Sequence, residues 1–332
     1  MSQTAGTFST YDSNRLREEF RDAIYMISPE ETPFWSMIDH ETIDSKHPEW
    51  SIDTLATPVS TNQKIEGDEY AFTAPSATTK LGNYAEIATK AYIVTRTDEK
   101  ASKAGPNSEL GRERRKKGLE LRQDMEIGLL FNKASVAGTD TAARVSGGFA
   151  AWITSNDSRG ASGADGGFSA GLVVAATNGT QRAFSKSIMD TVVLNTYVSG
   201  GSPTVWMVSP YIKTVFSGFM QSAGTAVVNT SISGDRQVTI YGGASTYVSD
   251  FGPLDVMPNR QLARVGATAA RNAYLIDTSK VSVGIFDDIF EDKVAKIGDA
   301  ERRALVCEYT LIMKNEAAHG IAADLFGMTA ST

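Results

Sequence analysis

The residues with chemical potential are few and poorly grouped. Gly167-Phe168-Ser169-Ala170-Gly171 matches Gly-x-Ser-x-Gly, the hydrolase pattern in which a strained strand-to-helix turn presents a serine hydroxyl to a base. Here glycines precede Ser169 and the strand-like Leu172-Val173-Val174 follows. The expected context is therefore a flexible loop, and a serine hydrolase is a distant alternative. His40, His47 and His319 have no metal-ligand spacing and there is no Cys-x-x-Cys, which argues against a zinc centre. Asp287-Asp288 and Glu291-Asp292 lack calcium-loop spacing and read as a solvated turn. Neither standard nucleotide-binding glycine pattern is present. Cys307 is the one cysteine, so no internal disulfide can form. The residues thus point to no catalytic group, no cofactor and no metal.

Composition sets the remaining limits. Of 332 residues, 41% are hydrophobic and 21% charged, an ordinary globular balance that can bury a sizeable core. The net charge of -7 disfavours tight nucleic-acid binding, because phosphates reward clustered Lys and Arg. Such a protein can still enclose nucleic acid. The first twenty residues hold no apolar signal core, and no apolar run approaches the roughly 20 residues of a membrane helix. A soluble protein made in the cytoplasm, with no membrane partner, is expected.

Several elements stand out along the chain. Leu16, Phe20, Ala23, Ile24 and Ile27 recur at helical spacing until Pro29 stops them. Pro33-Phe34-Trp35-Ser36-Met37-Ile38 forms a second short apolar segment. This arm has too little material for its own core and must dock elsewhere. Trp50, Ile52 and Thr54 alternate with polar residues, and 84–95 also reads as strand. Between them lies the polar stretch 58–80 with Lys64 and Glu66, which suggests a long hairpin projecting from the body and resting on a neighbour. The dominant helix is expected over 107–132, about 40 Å long, with Leu121, Met125 and Leu129 on one face. Residues 145–180 read as glycine-rich loops with short strands. Helices are expected at 185–198 and 210–220. Strands are expected at 204–208, 238–248, 274–276, 281–286 and 304–313. The whole reads as α+β.

Two clusters invite an interaction reading. Arg112, Arg114, Arg115, Lys116 and Lys117 lie among Glu109, Glu113 and Glu120. A solvated face paired at four-residue spacings, such as Glu113 to Lys117, comes first. Contact with acidic patches of other subunits is close behind, and nucleic acid is a distant third. Phe34-Trp35 reads as an interface anchor, since large aromatic residues dominate interface energetics.

The stretch Asn14-Arg15-Leu16-Arg17-Glu18, then Ile24, then Ile27-Ser28-Pro29-Glu30-Glu31-Thr32-Pro33-Phe34, resembles the opening of a group of tailed-bacteriophage major capsid proteins. Thr95-Arg96-Thr97 before Ser102-Lys103-Ala104-Gly105, Lys117-Gly118-Leu119-Glu120-Leu121, Ala150-Ala151-Trp152-Ile153-Thr154-Ser155-Asn156 and Met207-Val208-Ser209-Pro210 with Phe216-Ser217-Gly218-Phe219 are similar to the same group, in the right order. The resemblance implies the tailed-phage capsid fold. Its expected parts are an N-terminal arm at 1–46, an extended β-hairpin loop at 47–96 and a peripheral domain with a spine helix at 97–144. A mainly axial domain at 145–290 and a return to the peripheral domain at 291–332 complete it.

What the resemblance implies is assembly. Copies would form hexamers and pentamers that close into an isometric or prolate phage head around double-stranded DNA, with portal, scaffold or decoration proteins as further partners. Weak contacts would add through avidity. Candidate contact residues are Ile24, Ile27, Pro29, Pro33, Phe34 and Trp35 in the arm, Lys64 and Glu66 in the loop, and Arg112, Arg114, Arg115, Lys116 and Lys117 on the helix. Lys64 is the one obvious donor for an isopeptide crosslink of the kind some members of this fold form, although a solvated lysine is the simpler reading. With the arm directly after Met1, no attached scaffolding segment is expected. The alternative is an encapsulin-like compartment of the same fold.

Overall fold

A computed structural model describes residues 31–70, 72–101, 108–222 and 245–331. The arm pattern from Leu16 to Pro29, and most of the strand expected at 238–248, lie outside them. In chain order the first elements are α1 (Pro33–Met37), β1 (Asp39–Thr42), β2 (Glu49–Ile52), β3 (Thr79–Gly82), β4 (Glu86–Thr95), α2 (Arg96–Lys100) and α3 (Glu109–Leu130). Then come α4 (Phe149–Trp152), β5 (Asp157–Ser158), β6 (Gly167–Ser169), β7 (Leu172–Val174), α5 (Lys186–Val198), β8 (Val205–Val208) and α6 (Pro210–Ser222). The last are β9 (Thr246–Ser249), β10 (Gly252–Pro258), α7 (Arg260–Val265), α8 (Ala267–Ala270), β11 (Ala273–Ile276), β12 (Val281–Val294), β13 (Ala300–Met313) and β14 (Gly320–Ala322).

The helix α3 starts where its free N–H groups find acceptors. Ser108 Oγ accepts from Gly111 N–H, and the Glu99 carboxylate accepts from the Ser108 hydroxyl and from the N–H groups of Glu109 and Leu110. A carboxylate there also complements the helix dipole. The helix has 22 residues, about 33 Å at 1.5 Å per residue, shorter than expected. Leu121, Met125, Leu129 and Leu130 are buried along one side. Ser185 caps α5 in the same way through Ile188 N–H.

Two sheets carry the body. The first runs β1-β12-β13-β4. Its centre is the antiparallel pair β12 and β13, each 14 residues long. Leu305, Cys307, Tyr309, Leu311 and Met313 alternate into the core that α3 covers. The second runs β5-β14-β11-β8-β10-β9. Here β8 and β11 are buried at every residue, as continuous apolar runs such as Val205-Trp206-Met207-Val208 require. Helices α5 and α6 pack on it through Met189, Val192, Ile212 and Phe216.

Several expectations are corrected. The partner of β2 is β3, with Trp50 opposite Leu81, whereas β4 pairs with β13. Alternation marks a strand but not its mate, and the mate here lies beyond residue 78. The acidic stretch 287–292 is no turn: it lies on β12, whose register shifts between Ile285 and Phe290. β12 lies wholly in the first sheet. β14 then sends residues 320–322 back to the second sheet.

Candidate functional site

The hydrolase pattern folds into the wrong geometry. β6 and β7 pair as a tight hairpin with Phe168 opposite Val173, and Ala170 and Gly171 take φ of 53° and 85° in the turn. Positive φ at both positions matches the handedness of a two-residue hairpin turn. Ser169 is thus an exposed strand end, not a strained elbow, and the expected flexible loop is a hairpin. His319 is committed elsewhere. Asp277 N–H donates to its Nδ1 at 3.2 Å and its Nε2 lies 3.4 Å from the Lys280 carbonyl. Burial lowers its pKa to about 4, so the ring is neutral. No group of three or more metal-ligating side chains occurs among the described residues.

What stands out is a long exposed stretch. The stretch 53–78, outside its root in β2 and β3, is exposed along the described residues. Leu55 is 99% exposed, Ile65 82% and Phe72 92%. These large apolar side chains stand in water on a chain that has a well-buried core elsewhere. The root is firm: Lys80 Nζ lies 2.5 Å from Glu49, and Trp50 packs on Trp152 with ring centroids 5.8 Å apart. Gly67, at φ 86°, shapes the turn closed by Asp68 N–H and the Ile65 carbonyl. Lys64 and Glu66 flank Ile65 and are exposed. The apolar members of this stretch escaped the sequence reading, which weighed only its charges.

The basic face of α3 is partly neutralised at home. Arg112 pairs with Glu109 and Glu113, and Lys117 with Glu120 at 2.8 Å. The expected Glu113–Lys117 pair is replaced by this three-residue spacing. Arg114 is 3.9 Å from Glu291, while Arg115 and Lys116 are exposed with no ion pair among the described residues.

Glu291 anchors a small network. The Tyr92 hydroxyl donates to its carboxylate, and Arg303 lies 3.2 Å away. Burial, then the hydrogen bond to Glu291, pushes the Tyr92 pKa up to about 12. Because the folded value exceeds the ordinary 10.0, this group's stabilisation is intact below pH 10 and is lost as pH rises through the folded value. Tyr92→Phe is expected to lower stability by about 1 kcal/mol at pH 8. It should also flatten the alkaline loss, read as urea midpoints at pH 8 and 11. An unchanged alkaline slope would show that Tyr92 is not its source.

The arm anchor is corrected as well. Phe34 is fully buried in its own chain, edge-on to Phe149 with centroids 5.8 Å apart. It cannot serve as an intersubunit contact, because its partner surface is the core beneath α3. Trp35 and Pro33 are half-buried, with Trp35 edge-on to Tyr309 at 6.3 Å. Ile24, Ile27 and Pro29 lie outside the described residues. The group that holds α1 is one the sequence did not flag. Glu126, fully buried on α3, accepts from Phe34 N–H and Trp35 N–H, both at 2.8 Å, and from Asn259 Nδ2 at 2.7 Å. Its position beside Met125 on the buried stripe was the available signal. The structure therefore gathers Pro33, Phe34 and Trp35 over the second half of α3. Arg112 to Lys117 stand on the first half, and Lys64 and Glu66 on the exposed stretch.

Comparison with known proteins completes the picture. A family profile described as SU10 major capsid protein matches residues 2–326. The major capsid protein of Escherichia phage Phieco32 is 32% identical over 127 residues, 38% of this chain. That match spans only 36% of the relative's length. A chain of the cyanophage A-1(L) capsid asymmetric unit superposes with a TM-score of 0.63 at 14% identity, covering 96% of this chain and 98% of that one. The SrpI encapsulin of Synechococcus elongatus superposes with a TM-score of 0.53 at 9% identity, covering 96% and 95%.

Proposed function

The chain belongs to the SU10 major capsid protein family and has the fold of phage capsid chains, and from this premise we propose that it is the structural shell subunit of a tailed-phage head. Copies assemble into hexamers and pentamers that close around double-stranded DNA in the host cytoplasm, with a portal and with scaffold or decoration proteins as further partners. The exposed stretch 53–78, with Lys64 and Glu66, is the extended loop that lies on a neighbouring subunit. The α3 face with Arg112, Arg114, Arg115, Lys116 and Lys117 meets acidic groups of another copy. In this reading α3 is the spine of the peripheral domain, and the second sheet forms the axial domain.

One observation carries the mechanism: Leu55, Ile65 and Phe72 are almost wholly in water. A shell subunit must keep such residues exposed until assembly covers them. Burying one large apolar side chain is worth about 1.5–3 kcal/mol, and a shell repeats the gain at every copy. The net charge of -7 suits an inner wall that does not trap DNA. The encapsulin shares the fold alone, and particle content separates the two readings: DNA supports a phage head, protein cargo a compartment.

Electron microscopy of the expressed chain is expected to show closed shells or capsomers. The double variant Ile65→Asp with Phe72→Asp should keep its urea midpoint, since substitutions at such exposed sites stay within about 0.5 kcal/mol. Its shell yield should fall at least tenfold. Undiminished assembly by this variant would overturn the role of the loop, and monomers under every condition would overturn the shell reading.

A further inference from the structure

The chain contains one Asn-Gly pair, Asn178-Gly179. In an open chain such a pair is chemically labile. Glycine has no Cβ to hold the asparagine side chain off, so the Gly179 nitrogen can attack Asn178 Cγ. A bond forms between that nitrogen and Cγ, the side-chain amide leaves as ammonia, and a cyclic succinimide remains. Water then opens the ring to aspartate or isoaspartate. No other reagent is needed. The step does need a Gly179 nitrogen that can shed its proton and swing onto the neighbouring side chain.

The fold opposes both requirements. Asn178 is exposed, but Gly179 N–H donates to Asp324 Oδ1 at 2.9 Å. Asp324 is fully buried, and its carboxylate disfavours any negative charge developing on the nitrogen it accepts from. On the other side of Gly179, Arg271 Nη2 donates to the carbonyl at 2.6 Å. The flanking residues are fixed as well. Thr177 exchanges backbone hydrogen bonds with Ala164 at 2.8 and 3.1 Å, and Thr180 N–H donates to the Ala161 carbonyl at 2.8 Å. The surroundings are also close: a Cβ on Gly179 would stand 2.7 Å from the Gly160 carbonyl oxygen and 2.7 Å from Gly163 N.

We propose that Asn178 is a latent modification site, and that Asp324 guards it against succinimide formation by holding the Gly179 N–H. Attack requires a local opening in which this hydrogen bond breaks and Gly179 moves off Gly160. The product reinforces the opening. Isoaspartate adds a methylene to the backbone and a negative charge near Asp324, so Gly179 cannot return to the same hydrogen bond. A purely stabilising role for Asp324 would protect Asn178 only as much as any other source of stability does. The guard is independent of the shell reading, because a single folded chain makes every contact involved.

Incubation of the full-length chain at mildly alkaline pH tests this, with isoaspartate at residue 178 read by mass spectrometry after digestion. The native chain is expected to form it at least tenfold more slowly than the same chain unfolded in guanidinium chloride. Asp324→Ala should raise the native rate at least tenfold. Glu126→Ala controls for general loss of stability, since the hydrogen bonds of Glu126 go to Phe34, Trp35 and Asn259, and it should leave the rate close to native. In the unaltered chain, hydrogen exchange at the Gly179 amide should be slowed at least tenfold as well, a reading that stands even if Asp324→Ala does not fold. Equal rates in native and unfolded chains, a freely exchanging Gly179 amide, no acceleration in Asp324→Ala, or an equal acceleration in Glu126→Ala would each overturn the proposal.

Discussion

Glu126→Ala is expected to lower stability by about 3–5 kcal/mol and to release α1 from the body. The carboxylate is fully buried and accepts three hydrogen bonds, from Phe34 N–H, Trp35 N–H and Asn259 Nδ2. Alanine leaves these donors without acceptors, at about 1–3 kcal/mol for each that stays buried. Relief of the carboxylate's own desolvation offsets part of that loss. Phe34 follows, since its ring stays against Phe149 only while α1 is seated. Glu126→Gln is milder, about 1–2 kcal/mol, because one oxygen remains while the amide nitrogen meets an N–H group. Urea midpoints and the rate of proteolysis near residues 31–38 are the measurements. A loss under 1 kcal/mol for the alanine variant would remove Glu126 from this role.

The same residue carries a pH signature. Burial raises its pKa above the ordinary 4.5, and the hydrogen bonds from Trp35, Phe34 and Asn259 pull the other way without cancelling it. The folded state therefore holds the proton more tightly than the unfolded chain. This group's contribution falls as pH rises from about its unfolded value through its folded one, and the full cost of ionisation is in place above that. Glu126→Gln cannot titrate, so the variant should lack this slope in urea midpoints taken from pH 4 upward.

Local order was legible where local residues decide it. Ser108 and Ser185 mark helix starts because a hydroxyl can accept from an N–H three residues on. Leu121, Met125 and Leu129 mark the buried side of α3 because four-residue spacing stacks them on one face. The fully buried Val205-Trp206-Met207-Val208 was readable as an uninterrupted apolar run. What stayed hidden depends on residues far apart. Glu126 meets Phe34 across 92 positions, and Asn83, with its side chain on Ser146, Gly147 and Leu311, spans up to 228. The acidic stretch of β12 resembled a turn because the partners that make it a strand, among them Val306 and Ala304 of β13, lie more than ten residues onward. Among the contact residues, exposure at 64–66 was legible from charge. The burial of Phe34 was not, since an aromatic side chain fits a core and an interface equally well.

Asp324→Ala is expected to have an effect of similar size just beyond β14, and it explains why the glycine-rich stretch misled. Asp324 is fully buried at φ 59°. Its carboxylate accepts from Gly160 N–H at 3.0 Å and Gly179 N–H at 2.9 Å, and meets Arg271 Nη2 at 2.5 Å. Arg271 also donates to the Gly179 carbonyl at 2.6 Å. One carboxylate thus closes the base of the whole excursion between 160 and 179. Glycine is required there for close approach, as a Cβ on Gly160 would stand 2.0 Å from the Thr180 carbonyl oxygen. Removing the carboxylate strands Arg271, whose side chain is 13% exposed, and breaking a buried pair from one side costs about 3–5 kcal/mol. Alanine also lacks the local side-chain hydrogen bonds that let aspartate tolerate the left-handed region. Asp324→Asn tolerates that backbone and keeps one acceptor, so its loss should be clearly smaller. Arg271→Met in the Asp324→Ala background should restore part of the stability, because no unpaired charge then remains. Proteolysis should open between 160 and 179 while sites near 31–38 stay protected, the reverse of Glu126→Ala. Glu126 and Asp324 share no hydrogen-bond partner, so the combined variant should lose close to the sum of the two. Cleavage at both places in either single variant would instead mean that the two sheets unfold as one unit.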